Sequence, residues 1–204
     1  MVPPATRARN PRGQGERLRA ALMEAAHELL LELGDQAKLS VRAVTARAGV
    51  SPNALYLHFS DREALLNAVM IASYREFRAY LAAAVAPASS PLEQLHAYAA
   101  AYLEFADRRP GIYRVLFMTR VREGVPVPAR GVASGADEGV DAFNDFLEIV
   151  TLCLPDGPDP FTQATYVWAG LHGFATLRQA IPTFPWPARP DYLERLIEVH
   201  IQAT

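Results

Sequence analysis

The sequence predicts an all-α fold, on three observations. Apolar residues recur at three- and four-residue spacing along most of the chain. Proline and glycine clusters cut that pattern into helix-length pieces. No segment alternates β-branched and polar residues as a half-buried strand would. In order along the chain, the pattern reads as a small three-helix N-terminal bundle, one long connecting helix and a larger helical domain.

The first helix carries Leu18, Leu22, Ala25, Ala26, Leu29 and Leu33 at helical spacing, and Gly34 follows as a stop. A second, short helix runs from Ser40, placed to cap it, to Ala48, with Gly49 ending it. In the third, "SPNALYLHF", Ser51 stands at the cap and Pro52 at the first helical position, where its missing N–H costs nothing. Ser60-Asp61-Arg62-Glu63 then reads as a capping box with Ser60 as the cap. The long helix it opens runs through Leu65, Leu66, Val69, Phe77 and Leu81 to a stop at Pro87. Further helices are expected at about 91–107, 111–118, 131–153, 161–180 and 190–202, divided by "REGVPVPARG", "PDGPDP" and "IPTFPWPARP".

Composition narrows the function classes. At 204 residues, 50% of them apolar and 21% charged, the chain affords a sizeable core and is not a disordered segment. No apolar run reaches the roughly 18 residues of a membrane helix, and no apolar segment follows the early arginines as in a secretory signal. Cys153 is the single cysteine, so no internal disulfide forms and a cytoplasmic location is expected. Net charge is −2, which taken whole argues against a nucleic-acid binder. The distribution differs: residues 1–62 hold nine Lys/Arg against six Asp/Glu, the remainder eleven against sixteen. Arg7, Arg9, Arg12, Arg17 and Arg19 make the N-terminal end a local basic footprint.

Two short helices joined by a glycine-containing turn fit a helix-turn-helix, whose second helix enters the DNA major groove. Around the third helix, at about 100° per residue, Leu55, His58 and Phe59 fall on one side. Asn53 and Leu57 point opposite, with Tyr56 at the flank. The inward side has Val41, Val44 and Ala48 to dock on. The outward side offers an amide, a phenol and an apolar surface, suited to base edges, phosphates and a thymine methyl.

"LSVRAVTARAGVSPNALYLHFSDREALL" resembles the DNA-binding segment of the tetracycline-repressor (TetR) family. Its AGVS turn is Ala48-Gly49-Val50-Ser51. Its Leu-Tyr-x-His-Phe core is Leu55, Tyr56, His58 and Phe59, and its basic residue at the start of the next helix is Arg62. "YRVLF" and "WAGLHGFATL" resemble a ligand-domain subgroup with Trp and then His-Gly in its eighth helix. The resemblance implies DNA contacts at Ser40, Arg42, Ser51, Asn53, Tyr56, Leu57, His58 and Arg62. Thr45 departs from a customary alanine, implying a slightly wider helix crossing; Leu57 replaces a common aromatic, and Arg62 a lysine.

The implied organisation is a DNA-binding domain over 1–62 and an effector-binding and dimerisation domain over 63–204. The expected partners are a double-stranded inverted-repeat operator, a second copy of the chain and a small apolar effector; repression is the implied mode. The richness of aromatics beyond the long helix makes Tyr102, Phe117, Phe143, Trp168 and His172 the candidates for effector lining, with Met118 and Gln163 beside them. Gly170 and Gly173 inside a helix suggest close helix approach. The dimer seam is expected there, with Tyr166, Leu171, Phe174, Leu193, Leu196 and Ile197. No metal, cofactor or enzymatic activity is expected: no phosphate loop follows a strand and no nucleophile elbow is present. Glu24-x-x-His27 and Glu93-x-x-His96 have the spacing of di-iron bundle ligands, but helical projection turns Glu24 and His27 away from the leucine stripe and Glu93 away from Leu92 and Leu95. A constitutive DNA-binding factor is the other alternative. The aromatic-rich segment beyond the long helix, far larger than dimerisation alone requires, argues against it.

Overall fold

The computed structural model describes residues 14–33, 35–117, 138–154 and 157–202. The basic arm with Arg7, Arg9 and Arg12, the proposed stop Gly34, Met118 and the break at 122–131 lie outside the described residues. Every described element is helical: α1 (Gln14–Leu33), a 3-10 turn (Gln36–Lys38), α2 (Val41–Arg47), α3 (Pro52–Tyr56), α4 (Arg62–Val85), α5 (Pro91–Arg108), α6 (Pro110–Phe117), α7 (Glu138–Cys153), α8 (Pro160–Ala180) and α9 (Arg189–Ile197), closed by a π-helical turn (Glu198–Gln202). Two compact units form. One holds the described residues up to Ile71, with Phe117; the other runs from Ala72 to Leu116 and resumes at Glu138. α4 contributes its first ten residues to the former and fourteen to the latter.

In the first unit, Leu22, Ala26 and Leu30 of α1 are buried, as are Leu39, Val44, Leu55, Phe59 and Leu65, and α2 packs on both α1 and α3. Ser40 caps α2, its hydroxyl accepting the Ala43 N–H at 3.2 Å. α2 ends because Gly49 turns the chain at φ 68°, a left-handed conformation that a side chain would strain. Thr45 is fully buried. Its hydroxyl donates to the carbonyls of Val41 (2.9 Å) and Arg42 (3.3 Å), so α2 satisfies it internally. His27 corrects the projection in part. It is half-buried, and its Nε2 is closed off from water with no hydrogen-bond partner among the described residues.

The start of α4 departs from the expected box by one residue. Asp61, not Ser60, accepts the Ala64 N–H, at 2.7 Å, while the Ser60 hydroxyl donates to Asp61 Oδ2. Ser89-Ser90-x-x-Glu93 makes a full capping box instead: Ser90 Oγ accepts the Glu93 N–H, and the Glu93 carboxylate accepts the N–H groups of Ser89 and Ser90. Glu93 therefore serves the start of α5. The Ala64 N–H, then the Ser60 hydroxyl, holds the Asp61 carboxyl below the ordinary aspartate range. Its folded pKa lies below the unfolded value near 4, so its stabilisation is complete above about pH 4 and fades as pH falls through the lowered folded value. Asp61→Ala should lower the melting temperature at neutral pH, more than Ser60→Ala does. The Asp61 difference should shrink in melts followed into acid. Equal melting temperatures for the two variants at neutral pH would contradict Asp61 as the cap.

In the second unit, α5 is central, packing on α7, α8 and α9. Tyr98, Tyr102 and Phe105 on its buried face recur at three- and four-residue spacing. Arg78 forks onto Asp145 with 2.8 and 3.2 Å contacts and reaches Glu138 at 3.1 Å, tying α4 to α7. Arg75 adds a 2.6 Å contact to Glu138. Arg189 at the start of α9 pairs with Asp107 of α5. α8 and α9 approach closely at Gly170: a Cβ there would stand 2.7 Å from Leu196 Cδ1 and 3.2 Å from the Tyr192 hydroxyl. That hydroxyl donates to the Gly170 carbonyl at 2.9 Å. No described helix is long and apolar enough to cross a membrane.

Candidate nucleic-acid interface

α3 follows the Gly49 turn directly, and Pro52 sets its first φ. Leu55 and Phe59 anchor it inward, both buried. That rotation leaves Ser51, Pro52 and Asn53 exposed, with Tyr56 55% and Leu57 78% exposed. Two large hydrophobic side chains held in water on one short helix earn nothing by burial, so they are suited to meeting another surface. Ser51 takes the cap position without a side-chain cap bond, leaving its hydroxyl for an outside partner. Arg42 and Ser40 are exposed at the start of α2.

Two of the expected contacts sit differently. His58 is half-buried, and its Cε1 lies 3.5 Å from where a Cβ on Gly15 would stand, so the ring rests along α1. Arg62 turns inward: Nη1 donates to the Gln36 carbonyl at 2.7 Å and the Leu39 carbonyl at 3.0 Å, while Nη2 meets Glu63. One further basic residue, absent from the expected set, braces the motif. Arg47 forks onto Glu28 and Glu32 of α1 at 3.0 and 2.8 Å, and hydrogen bonding to Arg47 lowers the Glu32 pKa. A helix-surface arginine signals nothing of this in sequence, because its partners lie 15 and 19 residues away. Arg19 lies over the Phe59 ring at 5.1 Å, bracing the end of the α3 turn from α1.

In the second unit the structure brings together four of the five effector candidates. Tyr102 meets Tyr113 (ring centroids 5.8 Å), Tyr113 meets His172 (5.7 Å), His172 meets Trp168 (6.2 Å) and Trp168 meets Phe143 (5.8 Å). Phe117, the fifth, groups with the first unit. The polar ends converge as well. Tyr113 OH lies 2.7 Å from His172 Nδ1, and Tyr102 OH lies 3.3 Å from Tyr113 OH. Burial pushes the Tyr113 phenol up to about 12 and lowers the His172 pKa, so the imidazole is neutral at pH 7. Gln163 on α8 has a buried Oε1 with no hydrogen-bond partner among the described residues. An open cavity of ≈ 450 Å³ lies elsewhere, between α5 and α9, lined by His96, Ala100, Arg189, Pro190, Leu193 and Glu194; none of the five candidates lines it.

The dimer candidates divide. Leu171, Phe174, Leu193 and Ile197 are buried in the second unit's own core, Phe174 stacking on Tyr192 at 3.9 Å. Their apolar surface is therefore already used within one chain. Gly170 and Leu196 meet each other across α8 and α9. Tyr166 is 52% exposed, and a Cβ on Gly173 would meet nothing within 4 Å. With Ala169 and Leu177, both exposed, these two residues form a stripe along α8 at helical spacing. Among the described residues, no three His, Cys, Asp or Glu side chains gather where a metal ion could be held.

Two family descriptions match the chain: "Bacterial regulatory proteins, tetR family" over residues 22–69 and "Tetracyclin repressor-like, C-terminal domain" over residues 95–202. Among solved structures, a Rhodococcus sp. RHA1 protein described as of unknown function is 26% identical, with a TM-score of 0.70, covering 96% of this chain and 98% of that one. A TetR-like transcriptional regulator from the same organism is 21% identical, with a TM-score of 0.66 and the same coverage. SmeT, the repressor of the Stenotrophomonas maltophilia multidrug efflux pump SmeDEF, is 17% identical, with a TM-score of 0.62, covering 91% of this chain and 89% of that one.

Proposed function

The chain belongs to the tetracycline-repressor family of bacterial regulatory proteins, and on that premise we propose that it is a repressor that binds an inverted-repeat operator as a homodimer and is released by a small, largely apolar effector. The observation that carries the DNA assignment is the outward display of Asn53, Tyr56 and Leu57 on a short helix locked from behind by Leu55 and Phe59. The amide suits an adenine edge, the phenol a phosphate or base acceptor, and the leucine a thymine methyl. Ser40, Arg42 and Ser51 stand beside them for the backbone, with His58 at the edge. DNA binding is assigned to residues 1–62, effector binding and dimerisation to 63–204.

The α8 stripe of Tyr166, Ala169, Gly173 and Leu177 is the proposed seam, because it is apolar, exposed and unobstructed at Gly173. A two-fold pair of such helices presents two reading helices to half-sites roughly one helical turn apart or slightly more. The proposed effector seats against the ring chain of Tyr102, Tyr113, His172, Trp168 and Phe143, with the buried Gln163 oxygen available to a donor group on it. Trp168, His172 and Gly173 on α8 support placing this domain with the Trp/His-Gly subgroup. To lower operator affinity tenfold, the effector must prefer the DNA-incompetent state by about 1.4 kcal/mol.

The decisive experiment selects duplexes from a randomised pool with the full chain and sediments the protein alone and with the selected duplex. Recovery of an inverted repeat, bound by two chains, is the expected result. A Gly173→Arg variant should sediment as a monomer and lose most of its affinity for the full repeat. Selection returning no sequence preference would overturn the regulator reading. Operator affinity left unmoved by every small molecule that binds the second domain would leave a constitutive binder.

A further inference from the structure

We infer that Arg62 does not read the DNA backbone but positions the helix-turn-helix, clasping the turn that leads into α2 onto the first turn of α4. The geometry is specific. Both Nη1 donor directions end on main-chain carbonyls, those of Gln36 and Leu39, and Nη2 is engaged by Glu63. Gln36 opens the 3-10 turn, and Leu39 follows its last residue and stands immediately before Ser40, the residue that caps α2. Asp35 accepts the Ala37 N–H at 2.8 Å at one end of the turn, and Leu39 is buried at the other. A second, weaker link runs the same way, from Gln36 Nε2 to the Met70 sulfur of α4.

The physical consequence follows from what a 3-10 turn lacks. Its hydrogen bonds are short-range and poorly aligned, so by itself it holds the entry angle of the next helix loosely. The planar guanidinium fixes the two N–H directions of Nη1, which diverge by about 120° and so reach two separate carbonyls, and hydrogen bonds to a charged donor are about twice as strong as neutral ones. Arg62 supplies both donors from 26 and 23 residues further along the chain. The entry angle of α2, and with it the seat of α3 across the Gly49 turn, is thereby referred to α4. At the other end of α2, Arg47 ties to α1 through Glu28 and Glu32. Those pairs are water-exposed and correspondingly weak, so Arg62 is the stronger of the two braces.

A phosphate contact and a positioning clasp predict different measurements. The inference rests on the DNA-binding reading for its affinity arm alone; its exchange arm uses DNA-free protein and stands or falls separately. Removing a phosphate contact lowers the slope of log affinity against log salt by about one per site. Removing a clasp lowers affinity and leaves the slope as it was. We therefore expect Arg62→Ala to weaken binding to the pool-selected duplex about tenfold or more with an unchanged salt slope, from the loss of charged hydrogen bonds. In DNA-free protein, amide exchange at Lys38, Leu39 and Val44 should accelerate by a similar factor. Arg62→Lys guards against a variant that fails to fold. It keeps the charge a phosphate needs, but its ammonium ends one bond short of Nη1 and lacks the planar group that fixes both donor directions, so under the clasp it should lose affinity and exchange protection as Arg62→Ala does. Wild-type exchange at those amides, or an Arg62→Lys protein with wild-type affinity, or a slope lowered by about one in Arg62→Ala, would each overturn the inference.

Discussion

Replacing Tyr56 with alanine should weaken specific DNA binding by about 2–6 kcal/mol, because the proposed two-fold dimer would carry the substitution twice and one specific contact is worth about 1–3 kcal/mol. The side chain is more than half exposed in the free chain, at the last position of α3. Its loss therefore opens no cavity, and thermal stability should stay within about 0.5 kcal/mol of wild type, as for other surface positions. A large binding defect with little folding defect is the signature of an interface residue. Tyr56→Phe divides the effect: retention of most affinity assigns it to the ring, loss of most of it to the hydroxyl. Titrations against the selected duplex at one fixed salt concentration make the comparison. Wild-type affinity in Tyr56→Ala would remove α3 as the reading helix.

Phe77→Ala should carry the largest folding penalty, about 3–5 kcal/mol. Phe77 is 2% exposed. Its ring meets Tyr102 edge-on at 5.6 Å and Phe105 at 5.1 Å, so truncation leaves a cavity bounded by two aromatic rings that cannot collapse without losing their own contacts. Phe77→Leu should cost distinctly less, since most of the volume is kept. Urea unfolding followed by far-ultraviolet circular dichroism measures both. A loss below about 1 kcal/mol for alanine would mean that α4 is not held to α5 by this ring cluster.

The two sites differ in how far they were legible before folding. Leu55 and Phe59 inward, with Asn53 and Leu57 opposite, followed from helical projection, because α3 is short; projection put Tyr56 only at the flank, and the fold exposes it. The long helix was expected to run through Leu65, Leu66, Val69, Phe77 and Leu81, and all five are buried. The cap of α4 slipped by one residue because Ser60 and Asp61 are adjacent and equally suited to the role. Which of them adopts the cap geometry is decided by how the chain leaves Phe59, not by side-chain chemistry. α8 defeated projection altogether. It is apolar around its whole circumference, so the stripe that faces α5 and α9 cannot be told from the stripe that faces outward.

Local pattern by itself determined the helical class, the order and approximate bounds of the helices, the turn at Gly49 and the outward face of α3. Each of these depends on residues within a few positions of one another, where backbone geometry translates spacing directly into direction. Only the tertiary structure decided where Arg62 and Arg47 point, that Gly170 admits Leu196 and Tyr192 of its own chain while Gly173 faces open space, and that Leu171 and Ile197 belong to one chain's core. Long side chains choose among distant partners, and a glycine's purpose is the atom that would collide with its missing Cβ. Both are set by neighbours remote in sequence, and those are known only once the chain has folded.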